Sequence, residues 1–179
     1  MRILAVSGSL RAASSNTGIV RAAVLLAPDG VVVEIYDGLG SLPHFNPDLD
    51  TEIPLPPIAE FRARLTQSDG LLISCPEYAH GVPGVMKNAL DWLVGSGDLS
   101  KKPIALINAS PIATLAQASL RETLIVMEGI LVPGASIALP VQGKRLDAAG
   151  IAAHPEFSTS LRGALVALQK AITGSEPIR

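Results

Sequence analysis

Residues 70–95 read GLLISC, then PEYAHGVPG, then VMKNALDWLVG. The first six are almost continuously apolar, the pattern of a strand covered on both faces, and such strands belong to parallel sheets flanked by helices. Two prolines and two glycines crowd the next nine residues and predict a rigid, sharply turning loop. Val82, Val85, Met86, Ala89, Leu90 and Leu93 then recur at intervals of three and four, while Lys87, Asn88 and Asp91 point elsewhere. That rhythm predicts a helix over 83–94, with Pro83 in its first turn, where a missing N–H costs nothing. Strand, tight turn and amphipathic helix make one βα unit.

The same unit recurs on both sides. A strand over 3–6 runs into a polar loop over 7–16 and a helix from about 16, whose inward face carries Ile19, Val20, Ala23 and Val24. Pro28, Asp29 and Gly30 stop that helix, and β-branched residues predict a strand over 31–36. Residues 37–57 hold Pro43, Pro47, Pro54, Pro56 and Pro57, so regular structure occupies only fragments of them. Ile58, Phe61 and Leu65 mark a helix over 58–67. Further on come strands over 104–108 and 136–141, helices over 115–127 and 158–172, and a turn over 143–149. Five strands alternating with helices predict an α/β fold with a mostly parallel sheet, helices on both faces and one domain over 1–179.

Composition narrows the function. Fourteen Lys and Arg against sixteen Asp and Glu leave a net charge of −2, which argues against a nonspecific nucleic-acid binder. With 48% hydrophobic residues the chain has a core to bury, and with 3% aromatics it has little for base stacking. Cys75 is the lone cysteine, which excludes an internal disulfide and a multi-cysteine zinc site. His44, His80 and His154 show no ligand spacing, so no metal site is expected. The start of the chain lacks the apolar stretch of a signal peptide and no run is long enough to span a bilayer, so a cytoplasmic protein without stable membrane insertion is the expectation.

In an open α/β sheet, ligands collect where strands end. The first strand ends in Ser7–Gly8–Ser9–Leu10–Arg11–Ala12–Ala13–Ser14–Ser15–Asn16. Its amides and hydroxyls, Arg11 and the following helix N-terminus suit a phosphate, although serine caps and a surface arginine also make an ordinary stable loop. Neither Gly-x-Gly-x-x-Gly nor Gly-x-x-x-x-Gly-Lys-Ser/Thr is present, so one terminal phosphate fits better than a dinucleotide crossing or a triphosphate cradle. The loop after the third strand can lay backbone groups beside a planar ring, with Tyr78 over an edge or face; it equally serves to redirect the chain into the next helix. His80 has no visible catalytic partner, Trp92 suits core or subunit packing, and Asn88 suits a structural hydrogen bond. A tyrosine-phosphatase loop needs an arginine where Gly81 stands, and no Gly-x-Ser-x-Gly elbow supports a hydrolase.

Residues 76–92, with Gly8–Ser9–Leu10–Arg11, Ser14 and Asn16, the segment 42–50, Ser110–Pro111 and Leu120–Arg121, resemble the NADPH-dependent FMN reductase family. The resemblance implies a flavodoxin-like three-layer sandwich with strand order 2-1-3-4-5. It implies Ser9, Arg11, Ser14, Ser15 and Asn16 around the FMN phosphate, and Pro76, Glu77, Tyr78, His80 and Gly81 along the ribityl chain and ring, with Ser110 and Pro111 on the ring's other side. It implies NADPH or NADH as hydride donor, a quinone, flavin or other small molecule as acceptor, and a homodimer or homotetramer to which Trp92 contributes. No protein nucleophile is needed. Two departures stand out: Ala79 replaces the family's common asparagine, and residues 110–116 lack its usual glycine cluster. They favour, as the alternative, an FMN-binding or interaction module with little turnover.

Overall fold

The computed structural model describes residues 1–174. Its elements are β1 (Arg2–Ser7), α1 (Ser15–Leu25), β2 (Val32–Tyr36), α2 (Pro56–Thr66), β3 (Gly70–Ser74), α3 (Gly84–Val94), β4 (Pro103–Ile107), α4 (Leu115–Val126), β5 (Ile130–Leu131), α5 (Ala148–Ala153) and α6 (Pro155–Gly174). Short 3-10 turns occupy Gly38–Ser41, Pro47–Leu49 and Pro133–Ala135. All strand pairs are parallel and the order is β2-β1-β3-β4-β5, the flavodoxin-like arrangement. The expected single domain includes residues 175–179, which lie outside the described residues.

Strand side chains alternate between two cores, as the period of two dictates. Ile3, Ala5, Leu72, Ala105 and Ile107 join Ile19 and Ala23 of α1 and Leu161, Leu165 and Leu168 of α6. Leu4, Val6, Leu71, Ile73, Ile104 and Leu106 join Ile58 and Phe61 of α2, Met86 and Leu90 of α3, and Leu120 and Leu124 of α4. A one-residue slip in any central strand would exchange these two sets, so the double burial fixes the register.

The sheet's far edge departs from expectation. A strand over 136–141 is absent as such; β5 lies earlier, with Leu131 opposite Ile104. Pro133 cannot donate to a ladder, and a 3-10 turn follows at once. The chain rejoins the edge only at a bridge between Asn108 and Ala138. There the Asn108 N–H donates to the Ile137 carbonyl at 2.9 Å, and the Leu139 N–H donates to the Asn108 carbonyl at 2.8 Å. The expected turn over 143–149 is present at its start, where the Lys144 N–H donates to the Val141 carbonyl at 3.1 Å, but its last two residues open α5, whose first turn is capped by the Asp147 carboxylate accepting from the Gly150 N–H at 2.7 Å. Pro83 sits just before α3 rather than inside it.

The proline-rich segment is pinned to α3. Asn88 and Trp92, one helical turn apart, both donate to the Pro43 carbonyl, at 2.9 and 2.8 Å, and the Phe45 N–H returns a bond to Asn88 Oδ1 at 2.7 Å. Arg62 of α2 pairs with Asp50 at 2.8 Å and donates to the Trp92 carbonyl near the end of α3, where a cation is favoured. Trp92 is fully buried within the chain, edge-on to Phe45. The expectation that it lends itself to a subunit interface is therefore corrected: it is a core residue.

Candidate functional site

Parallel pairing places Ser7 beside Ser74 and Ser74 beside Ile107, so the loops leaving β1, β3 and β4 open at one sheet edge. The first two loops touch at once. The Gly8 N–H donates to the Ser74 carbonyl at 2.9 Å, and a Cβ on Gly8 would sit 2.5 Å from Cys75 Sγ. Only glycine permits that approach. Cys75 is buried, and burial pushes its thiol up to about 12, which leaves it a packing group rather than a nucleophile.

Ser14 is the N-cap of α1; its hydroxyl accepts from the Asn16 N–H at 3.2 Å. Asn16 is buried and accepts through Oδ1 from the Ser74 hydroxyl at 2.9 Å. Its NH2 group has no partner among the described residues. Ser9 Oγ accepts from the Arg11 N–H and lies 3.3 Å from the Tyr78 hydroxyl, which bridges the first loop to the second. The Arg11 side chain is likewise unpartnered. Hydroxyls, an amide, a guanidinium and the first-turn amides of α1 thus share one corner, a donor set suited to a phosphate.

The second loop is a two-residue hairpin. Tyr78 and Gly81 exchange N–H···O bonds at 3.1 and 2.9 Å, with Ala79 and His80 between them at φ of 48° and 64°. Two central residues at positive φ match a type I′ turn, which favours Asn-Gly; Ala and His adopt it under strain. Glu77 locks the hairpin in place. Its carboxylate accepts from the Ala116 N–H at 2.9 Å and from His80 Nδ1 at 3.1 Å. The Ala116 N–H holds this carboxyl below the usual value, desolvation opposes it, and His80 adds to the lowering. Thr114 offers no side-chain cap to α4, so a carboxylate from another loop does that work.

Asn108 shapes the third loop. Its Oδ1 accepts from the Ser110 N–H at 3.0 Å, and its Nδ2 donates to the Ala113 carbonyl at 2.9 Å. This turn needs no glycine.

The three loops enclose a cavity of about 280 Å³. Ser9, Arg11, Ser14, Ser15, Asn16, Pro76, Glu77, Tyr78, His80 and Ser110 all line it; Gly81 does not, because it closes the hairpin behind Tyr78. Pro111 is also outside the lining. Sequence reasoning missed Ala109, Ile112, Ala113 and Gln142 as lining residues. Gln142 arrives through its N–H bond to the Ala109 carbonyl at 3.1 Å. Its only signal in the sequence was a place just past the last strand, at the edge where ligands gather. Among the described residues no group of three His, Cys, Asp or Glu could hold a metal ion.

Residues 1–144 match the NADPH-dependent FMN reductase family. An NAD(P)H-dependent FMN reductase of Pseudomonas aeruginosa is 33% identical over 160 residues, covering 82% of this chain and 85% of the relative. A 2-hydroxy-1,4-benzoquinone reductase of a Burkholderia species is 35% identical over 156 residues, covering 84% of each. Among solved structures, FerB of Paracoccus denitrificans, a flavoenzyme NAD(P)H:(acceptor) oxidoreductase, superposes with a TM-score of 0.79 at 29% identity over 97% of both chains.

Proposed function

Since the chain belongs to the NADPH-dependent FMN reductase family, we infer that its strand-end cavity holds FMN and that it is an NAD(P)H-dependent oxidoreductase serving a small acceptor. The observation that carries the reading is the joint lining of one cavity by Arg11, Ser14 and Ser15 on one loop and Pro76, Tyr78 and His80 on another. The residues fit the cofactor: unpartnered donors sit at one end, and a rigid hairpin with an exposed tyrosine stands at the other. Bound FMN supplies the ring that accepts hydride from NAD(P)H and passes electrons on.

The chain's own work is positioning. Arg11, Ser9, Ser14, Ser15, Asn16 and the α1 N-terminus take the phosphate; the hairpin from Pro76 through Gly81, with Ser110 opposite, fixes the ring. Glu77 holds hairpin and α4 at one spacing, so the ring slot keeps its width. The Burkholderia relative's activity supports a quinone as acceptor, with free flavin as another. Family resemblance supports a homodimer or homotetramer, a cytoplasmic location and a single domain over residues 1–179. No helix among the described residues is long and apolar enough to cross a membrane.

The altered third loop favours a second reading, a flavin-binding module with little turnover. One preparation separates the two. The visible spectrum of FMN-loaded protein is recorded before and after anaerobic NADPH or NADH. Bleaching supports the reductase; flavin that stays oxidised with both donors supports the module; folded protein that takes up no FMN removes both.

A further inference from the structure

The sequence shows no partner for His80, and the fold supplies one. Glu77 stands three residues back on the same hairpin, with its Oε1 3.1 Å from His80 Nδ1. An ionised carboxylate has no proton to give, so Nδ1 carries the hydrogen and donates it. The carboxylate is itself held, because its second oxygen accepts from the Ala116 N–H at 2.9 Å in the first turn of α4. The Glu77 side chain is only 12% exposed, whereas that of His80 is 80% exposed. With Nδ1 engaged, the free nitrogen of the ring is Nε2, which has no partner among the described residues. His80 lines the strand-end cavity beside Tyr78. The ionisable groups that face this cavity are Arg11 of the first loop and Glu77, Tyr78 and His80 of the hairpin; the third loop and Gln142 bring none. Of these four side-chain types, imidazole is the one that ordinarily exchanges a proton near neutral pH.

A quinone acceptor gives such a group work to do. Its reduction to hydroquinone takes up two electrons and two protons. The hydride that bound FMN supplies brings both electrons and one proton, and the second proton goes to a carbonyl oxygen. We propose that His80 is the general acid of this step: the Nε2–H bond breaks, an O–H bond forms on the acceptor, and the ring is left neutral with its hydrogen on Nδ1. Solvent reaches the exposed ring and returns the proton. Glu77 is the positioning residue, aiming the imidazole and fixing its tautomer as a carboxylate does behind a catalytic histidine. The inference rests on the reductase reading above and adds to it the route of the proton.

The test compares two acceptors on FMN-loaded protein: a benzoquinone, which takes up protons as it is reduced, and ferricyanide, which takes electrons alone. Asparagine tolerates the left-handed position of His80 and has no acid proton to give, so His80→Asn keeps the turn and removes the acid. In that variant the ratio of quinone to ferricyanide turnover falls about a hundredfold, the lower end of what a positioned general acid contributes. In the wild type the same ratio declines as rising pH strips the imidazole of its proton; in His80→Asn it stays flat. A second measurement needs no turnover. Nitrogen NMR of the neutral His80 ring finds the hydrogen on Nδ1, and Glu77→Gln, whose amide can offer an N–H where the carboxylate accepts, moves it to Nε2. A ratio that keeps its wild-type value in His80→Asn, even if both rates fall together, would overturn the assignment, and so would a wild-type ring protonated on Nε2 when neutral. Flavin that stays oxidised with NADPH and with NADH removes the reductase reading and this step with it. Flavin that bleaches while the ratio holds removes the step alone.

Discussion

Residues 76–84 and 85–92 are consecutive in the chain, yet they are held in opposite ways. The helical half is spent on packing: Asn88 and Trp92 share the Pro43 carbonyl, Lys87 pairs with Asp91 at 2.6 Å, and Met86, Ala89 and Leu90 are sealed in a core. The hairpin half leaves Tyr78 and His80 exposed and two residues at positive φ. A motif that reads as one block in sequence is therefore two devices, a fastener for the proline-rich segment and a strained wall for a cavity. At the hairpin, strain and exposed side chains sit together beside the cavity.

Substitutions on the two sides should separate in what they damage. Trp92→Ala empties a fully buried site and removes a donor from the Pro43 carbonyl. It should cost about 3–5 kcal/mol of stability in urea unfolding, and a cost below about 1 kcal/mol would mean that the fastener matters little. Arg11→Ala does the reverse. It should weaken FMN binding roughly 10–100-fold through a lost charge-assisted bond, with the unfolding midpoint almost unmoved; unchanged FMN affinity in a fluorescence titration would place the phosphate elsewhere.

Ala79→Asn sharpens the contrast from the strained side. Asparagine tolerates the left-handed region better than alanine, so this variant should gain roughly 0.5–1 kcal/mol. A loss of stability would show that the hairpin is not strained at that residue. Glu77 gives the smallest effect. Its folded pKa is depressed, so its contribution is complete above the unfolded value, near 4.5, and is lost as pH falls through the lower folded value. Glu77→Gln should therefore be less stable than wild type at neutral pH, with the difference shrinking as pH falls below 4.5, so that its acid limb is flatter; an acid limb identical to wild type would contradict the clamp.

Much of this was legible in the sequence, for identifiable reasons. Strands buried on both faces announce themselves as apolar runs, and all four that pair centrally or at β2 lie within a residue or two of expectation. The fifth does not, because an edge strand is buried less and Pro133 breaks its ladder, so apolarity at 136–141 marked a covered segment rather than a strand. Helix α5 escaped notice because Ala148, Ala149 and Gly150 carry no apolar rhythm; Asp147 was its only signal. Ten of the twelve residues expected around the cofactor share one cavity since they follow strand ends; Gly81 and Pro111 do not line it. Glu77's grip on Ala116 spans 39 residues and had no local trace.

The account stands on one cavity that grips a phosphate at the α1 N-terminus and a flat ring at the Tyr78 hairpin. Parallel titrations of flavin-free protein with FMN and with riboflavin, which lacks only the phosphate, test this most directly. FMN should bind at least about 100-fold more tightly, the worth of two charge-assisted hydrogen bonds or more, and that advantage should shrink in Arg11→Ala. Equal affinity for the two flavins would contradict the account.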